Sequence, residues 1–392
     1  MKIHIGHIVL VIALLTAPKV NAQQEQRWED CYAEVIAIEG KDEEDIPDYE
    51  LLCQLADHPI NINTATKEDL EQLPFLNNQQ IEDIMEYLYR YHSLRSVGEL
   101  YMIPSLGNAY ARLLSYFITI GKPNENNRFS WQDMLYYGRH KVIATLNIPT
   151  YQRRGFSEGK YLGGPLKHWL RYTFNYANRL EIGLVGAQDA GEPFFKRQNK
   201  TGYDYHSFYL MLRNQGSLKA LAVGRYRLRM GMGLVMNCDY GFGKQMLLQA
   251  LDRSSATVRP PSSRSEGNYL QGVAATFKLN KAMEATAFLS YRKVDATLRH
   301  DSLGSISAII TNGYHRTETE MEHKHNTWQL ATGGHLRYFN NGFHAGATAL
   351  YTALSRELRP HTTQLYKRWA ATGTRFYNLG IDYGYTGPVS YT

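Results

Sequence analysis

Three arginines, Arg225, Arg227 and Arg229, stand at i, i+2 and i+4. In an extended strand that spacing gathers three guanidiniums on one face, with Tyr226, Leu228 and Met230 on the other. If the apolar set meets lipid, the arginines line a lumen. They would then favour anions, phosphates or an acidic partner, or else pair with luminal carboxylates. His323 and His325, with Glu322, offer two imidazoles, too few ligands for a metal centre. Gly231-Met232-Gly233 and Gly241-Phe242-Gly243-Lys244 imitate pieces of a phosphate loop. They lack its strand-loop-helix setting and are read as turns. No G-x-S-x-G, H-E-x-x-H or C-x-x-C pattern occurs, so neither an enzyme nor a cofactor or metal is expected.

The other chemistry-bearing segments are two proline-led hairpins, Pro74-Phe75-Leu76-Asn77-Asn78 and Pro104-Ser105-Leu106-Gly107-Asn108. Each sits between two helical patterns. Thr66 with Asp69, and Ser96 with Glu99, are S/T-x-x-D/E boxes that satisfy free N–H groups and open a short helix. After the hairpins come longer helices with core spacing, Ile81, Ile84, Met85 and Leu88 in one half and Leu113, Leu114 and Phe117 in the other. Residues 61–121 therefore read as one motif used twice.

Asn61-Ile62-Asn63-Thr64-Ala65-Thr66, Leu70, Leu73 and the Ser96-Val97-x-Glu-Leu phrase resemble the tandem helix-hairpin-helix domain of the ComEA competence proteins over about 60 residues. The resemblance implies that the hairpin amides at a helix N-terminus hold a nucleic-acid phosphate. In that family each hairpin is Gly-apolar-Gly. Here Phe75 and Asn77 replace both glycines of the first hairpin and Ser105 one of the second, while Gly107 remains. Residues 61–121 also carry a net charge of −3, against the phosphate neutralisation on which non-specific DNA affinity rests. Two roles stay open for this module, weak DNA contact and a plug or protein-contacting role.

Beyond residue 130 the period changes from helical to two. Val273 to Leu279 alternates apolar with polar or small. Met283, Ala285, Ala287, Leu289 and Tyr291 share one face, opposite Glu284, Thr286, Ser290 and Arg292. Trp328, Leu330, Leu336 and Tyr338 likewise oppose Gln329, His335 and Arg337, and Asn340-Asn341-Gly342 is a hairpin signal. Tight turns near 177–178, 214–217, 280–281, 340–342 and 386–388 alternate with long polar segments. That alternation, and the 29 tyrosines, fit an antiparallel outer-membrane β-barrel better than a soluble sandwich. About ten strands are expected, the first near 132–148 and the last near 373–385, with Val389 to Thr392 beginning an eleventh of an incomplete barrel. A helix-hairpin-helix domain preceding such a barrel also resembles a group of Gram-negative envelope proteins.

The first residues set the compartment. Lys2, the apolar run from Ile8 to Leu15 and Val20-Asn21-Ala22 read as a secretory signal peptide over residues 1–22. No later run is long enough for a membrane helix. Cys31 and Cys53 leave both a disulfide and two separate buried thiols open.

The net charge of +6 over 392 residues conceals a split of −13 over 23–127 and +17 over 128–392. The expected organisation is therefore multidomain α + β: an acidic helical segment over 23–60, the tandem module over 61–121, a linker over 122–130 and the barrel over 131–392. The expected location is the outer membrane, with the helical part in the periplasm. Expected partners are outer-membrane lipid, DNA weakly, or another envelope protein meeting the acidic domain.

Overall fold

The computed structural model describes residues 27–39, 52–53, 55–56, 59–65, 67–121, 131–176, 179–196, 199–200, 202–238, 257–261, 267, 269–280, 282–302, 304–340, 343–362 and 365–385. The expected signal segment 1–22 and linker 122–130, Thr66, Gly241 to Lys244 and residues 386–392 lie outside them.

Helices α1 (Trp28–Glu39), α2 (Lys67–Leu70), α3 (Asn78–Tyr91) and α4 (Gly107–Leu114), with a 3₁₀ helix over Val97–Met102, share one apolar cluster. Its centre is aromatic: Phe117 meets Phe75 at 5.0 Å and Trp28 at 5.8 Å between ring centroids. Two short strands, Ile60–Asn61 and Ile118–Thr119, pair in parallel and bring together the ends of residues 60–119. The Ser96–Glu99 capping box forms as expected. No disulfide joins Cys31 to Cys53.

Among the described residues ten long strands make one antiparallel meander. They are β1 (Arg139–Asn147), β2 (Lys167–Tyr176), β3 (Leu180–Gln188), β4 (Tyr205–Gln215), β5 (Leu218–Met230), β6 (Leu270–Lys278), β7 (Met283–Leu298), β8 (Thr327–Asn340), β9 (Phe343–Leu358) and β10 (Gly373–Tyr385). Each pairs with its neighbour in sequence, forming a β-barrel wall. Tyr209 and Met211 of β4, Tyr226 and Leu228 of β5, Phe288 of β7 and Ala331 of β8 meet in one interior cluster. No ladder joins β1 to β10 among the described residues. The first strand departs from its expected start near 132, because Trp131–Tyr137 is a helix (α5) and the strand begins at Arg139.

Beside that cluster the wall carries polar groups inside, and its outer face is apolar. On β7 Leu289 and Tyr291 are 48% and 53% exposed, whereas Thr286 and Ser290 are buried. On β8 Leu336 and Tyr338 are exposed while His335 and Arg337 are buried. The buried groups are partnered across strands: Thr276 bonds Thr286 at 2.9 Å, and His335 Nδ1 lies 2.8 Å from Thr348 Oγ1. Arg213 holds Glu181 at 3.1 Å, and Glu181 also accepts from the Tyr209 hydroxyl at 2.9 Å. Interior polar groups that pair in this way avoid the cost of burying them alone.

Candidate functional site

The two hairpins are built alike. Leu70, Leu73 and Leu76 recur thirty residues later as Leu100, Ile103 and Leu106, and all six side chains are buried. The same turns follow: Leu76 N–H donates to Leu73 C=O at 3.3 Å, and Leu106 N–H to Ile103 C=O at 3.2 Å. Pro74, Phe75 and Leu76 are turned into the core. Asn77 caps α3 by accepting from the Gln80 N–H at 2.8 Å, and Gln80 Oε1 accepts from the Asn77 N–H at 2.9 Å. Asn78 is the first residue of α3.

Gln80 joins the halves. It is buried, and its Nε2 donates to the Ser105 C=O of the second hairpin at 3.3 Å. In that hairpin Pro104, Gly107 and Asn108 are exposed, Ser105 is half-buried and Leu106 buried. Gly107 has φ of +57° with open space where a Cβ would lie, so glycine is favoured there by backbone conformation and not by crowding. Gln80 therefore ties Asn77 of the first hairpin to Ser105 of the second. α3 then continues with Glu82, Asp83 and Glu86, and Glu82 is held by Lys67 at 2.5 Å.

The arginine strand departs from expectation. Tyr226, Leu228 and Met230 do not face lipid but join the interior cluster. They continue the inward parity of Ala222, buried in the same cluster, and the ladder to β4 ends at the Tyr209–Gly224 pair. Past Tyr226 the strand pairs instead with the loop strands Met236–Asn237 and Thr257–Arg259. Both faces are thereby covered. Arg227 is 1% exposed and its Nε donates to Pro260 C=O at 3.0 Å. Arg229 lies opposite Asn237 and Thr257, and Arg225 lies between the rings of Tyr205 and Tyr269 at 4.4 and 4.3 Å. The three do not form a common basic path.

The strongest cluster of titratable groups lies where the long loops meet, and spacing gave no sign of it. His315 sits between two carboxylates, with Nδ1 2.5 Å from Asp204 Oδ2 and Nε2 2.9 Å from Asp295 Oδ2. Its N–H donates to Glu192 at 3.0 Å, and Lys324 holds Asp204 at 2.7 Å. Burial alone would lower the imidazole, but its bonds to Asp204 and Asp295 outweigh that and carry it to about 9. Burial would likewise raise Asp204, yet His315 and Lys324 hold it at about 2. For Glu192 burial leads, the Asp204 charge adds, and the carboxyl stands at about 7.

Glu192, Asp204 and His315 have the donor types of a cation site. His315 and Lys324 already neutralise the carboxylates, so the network works as a clasp between loops. Leu162 N–H donating to Arg316 C=O at 2.8 Å adds the first long loop. His323 and Glu322 belong to the short helix α6 (Glu318–His323), and the His325 ring stands edge-on to His315 at 6.4 Å.

At the short-turn end a cavity of about 1250 Å³ is lined by Lys67, Asp69 and Met85 on one side and Lys219, Glu284 and Arg337 on the other. The helical unit thus faces the turns and lies opposite the loop clasp.

A protein from Xenopus laevis described as endonuclease/exonuclease/phosphatase family domain-containing protein 1 is 30% identical to this chain over 94 residues, 23% of this chain. Those residues span 17% of that protein's length. No family model matches, and no solved structure does.

Proposed function

We infer that this chain is a non-enzymatic outer-membrane barrel protein that carries a ComEA-like helix-hairpin-helix module on its periplasmic, short-turn side. The observation that carries this reading is the inversion of the wall, with apolar side chains exposed on the outer face and Thr286, Ser290, His335 and Arg337 buried inside. A soluble sandwich buries its apolar face, whereas a barrel in lipid turns it outward. The interior cluster and the paired Glu181 and Arg213 fill space that a conducting pore would leave to water, which supports a scaffold over a channel. In this role the acidic module meets another envelope protein while the wall is solvated by outer-membrane lipid. Refolded full-length chain mixed with vesicles should float with the lipid in a density gradient. Recovery in the protein-only fraction would contradict the reading.

A second role for the module is contact with DNA. It is supported by the nuclease-family name of the Xenopus laevis protein and by Gly107, which leaves the second hairpin open to close approach. The acidic run on α3 opposes it. Duplex DNA retained by the full chain at low salt and released as salt rises would establish this role. No retention at low salt would leave the scaffold role alone.

A further inference from the structure

The two ends of the outer face differ in charge. On β7 to β10 aromatic rings bound the apolar band on both sides. Toward the long loops Tyr291 meets Trp328 at 5.8 Å and Tyr351 meets Tyr377 at 5.0 Å between ring centroids. Toward the short turns Tyr338 meets Phe343 at 6.4 Å, and Phe343 pairs with Tyr385. Rings of this kind settle at the two interfaces of a bilayer.

The ladders carry one parity across these four strands, so their outward residues can be followed to each end. From the loop-side rings down to Met283, Asn340, Phe343 and Tyr385, none is charged. At the other end the next outward residue past Tyr291 is Lys293, and past Tyr377 it is Arg375. Both are exposed, and among the described residues neither has an ion-pair partner. Lys293 lies opposite Trp328 on β8, and Arg375 opposite Ala353 on β9. Three strand spacings separate them, roughly 14 Å between backbones.

The connection from β9 to β10 has the same sign. Residues 355–375 hold Arg356, Arg359, Lys367, Arg368 and Arg375 against Glu357, a balance of +4. Leu365 and Trp369 are each 88% exposed there, and the Arg368 guanidinium lies 5.6 Å from the indole centroid. Long cationic side chains lay their stems on apolar surface and keep the charge at head-group level. Reaching water alone would suit either end of the wall. Cations at the long-loop end only, against uncharged rings at the other, point to an anionic head met on that side.

We propose that this rim binds the phosphates of a glycolipid head in the outer leaflet, with Lys293 and Arg375 as the phosphate contacts. Two cations at that spacing suit a disaccharide head phosphorylated at both ends better than a single phosphodiester. The proposal rests on the membrane reading above and adds the head chemistry of the lipid.

The probe is a bisphosphorylated, acylated glucosamine disaccharide, compared with the same lipid stripped of its phosphates and with phosphatidylglycerol. Full-length chain in neutral detergent takes up each at fixed mole fraction, and native mass spectrometry counts the lipid retained. Wild type should prefer the bisphosphorylated lipid to its stripped form by about 25-fold, fivefold for each cation beside a charged surface. Lys293→Gln and Arg375→Gln should each lower that preference about fivefold and leave retention of the stripped lipid unchanged. Lys278→Gln, at the short-turn end, should not alter it. No preference in wild type, an equal loss in Lys278→Gln, or phosphatidylglycerol held as well as the bisphosphorylated lipid overturns the proposal. Flotation with phosphatidylcholine vesicles reports separately on the membrane reading. A chain that floats without the preference loses only the head-group site, and one that shows the preference but does not float loses the membrane setting.

Discussion

The helical unit and the barrel wall differ in the polar groups they bury and the apolar ones they expose. In the first, Leu70, Ile81, Leu100, Leu114 and Phe117 are buried and Gln80 is the buried polar exception. In the second, Glu181, Arg171, Ser290 and His335 are buried while Leu289, Leu379 and Ile381 stand exposed. Burial of apolar surface drives the first in water. The second exposes its apolar face and pairs inner polar groups with one another. On the membrane reading proposed above, the chain carries units suited to two solvents, and each can be tested against the other.

The largest effect should come from the loop clasp. His315→Gln removes the cation from between Asp204 and Asp295 and leaves their charge buried with fewer partners, a change that costs about 3–5 kcal/mol in comparable buried pairs. Faster hydrogen exchange over 189–204 and 311–326, with the helical unit unchanged, would be the sign. Unaltered exchange there would show that the clasp does not hold the loops.

Leu289→Arg should cost about 2–4 kcal/mol for refolding into vesicles, the range found for lipid-facing positions near the bilayer centre. Tyr89→Arg on α3, at a residue 84% exposed, should stay within about 0.5 kcal/mol. Equal effects at both sites would remove the distinction between the two solvents.

The clasp also sets a pH dependence. His315 is raised from 6.5 to about 9, so its stabilisation is complete below pH 6.5 and is lost as pH rises through 9. Glu192, raised from 4.5 to about 7, is destabilising once ionised, and its cost grows over the same rising direction. Both predict loops that loosen between about pH 5 and 9. The imidazole part corresponds to about 3 kcal/mol. Protease nicking of the loops should increase across that range in wild type, and His315→Gln should remove the part above about pH 7 while the Glu192 part below it remains.

The smallest change is expected inside the helical unit. Gln80→Ala breaks the reciprocal cap with Asn77 and the bond to Ser105, for about 1–2 kcal/mol. The loss should appear as faster exchange in both hairpins at once, because one side chain serves both.

The helical repeat and the wall strands were legible from spacing, since Leu70, Leu73 and Leu76 against Leu100, Ile103 and Leu106, and the two-residue period of β7 and β8, are local patterns. The arginine face was misread because Tyr226, Leu228 and Met230 were taken to meet lipid, whereas with Ala222 they pack in an apolar interior cluster. The clasp was invisible for another reason. Glu192 and Asp204 lie on the connection between β3 and β4, Asp295 on β7 and His315 on the connection after it, 123 positions from Glu192, and no single segment bears a pattern that pairs them. His323 and His325 drew notice by adjacency alone, and the histidine that makes the network is a lone one nearby.

The account turns on whether the apolar outer face meets lipid. Trp328 lies on that face at 38% exposure, whereas Trp169, opposite Ala187, packs with the buried Tyr205 and Tyr269. Single-tryptophan variants retaining one or the other, refolded into vesicles of acyl-brominated lipid, should differ: strong quenching for Trp328 and weak quenching for Trp169. Trp328 fluorescence unaffected by the brominated lipid would contradict the membrane barrel.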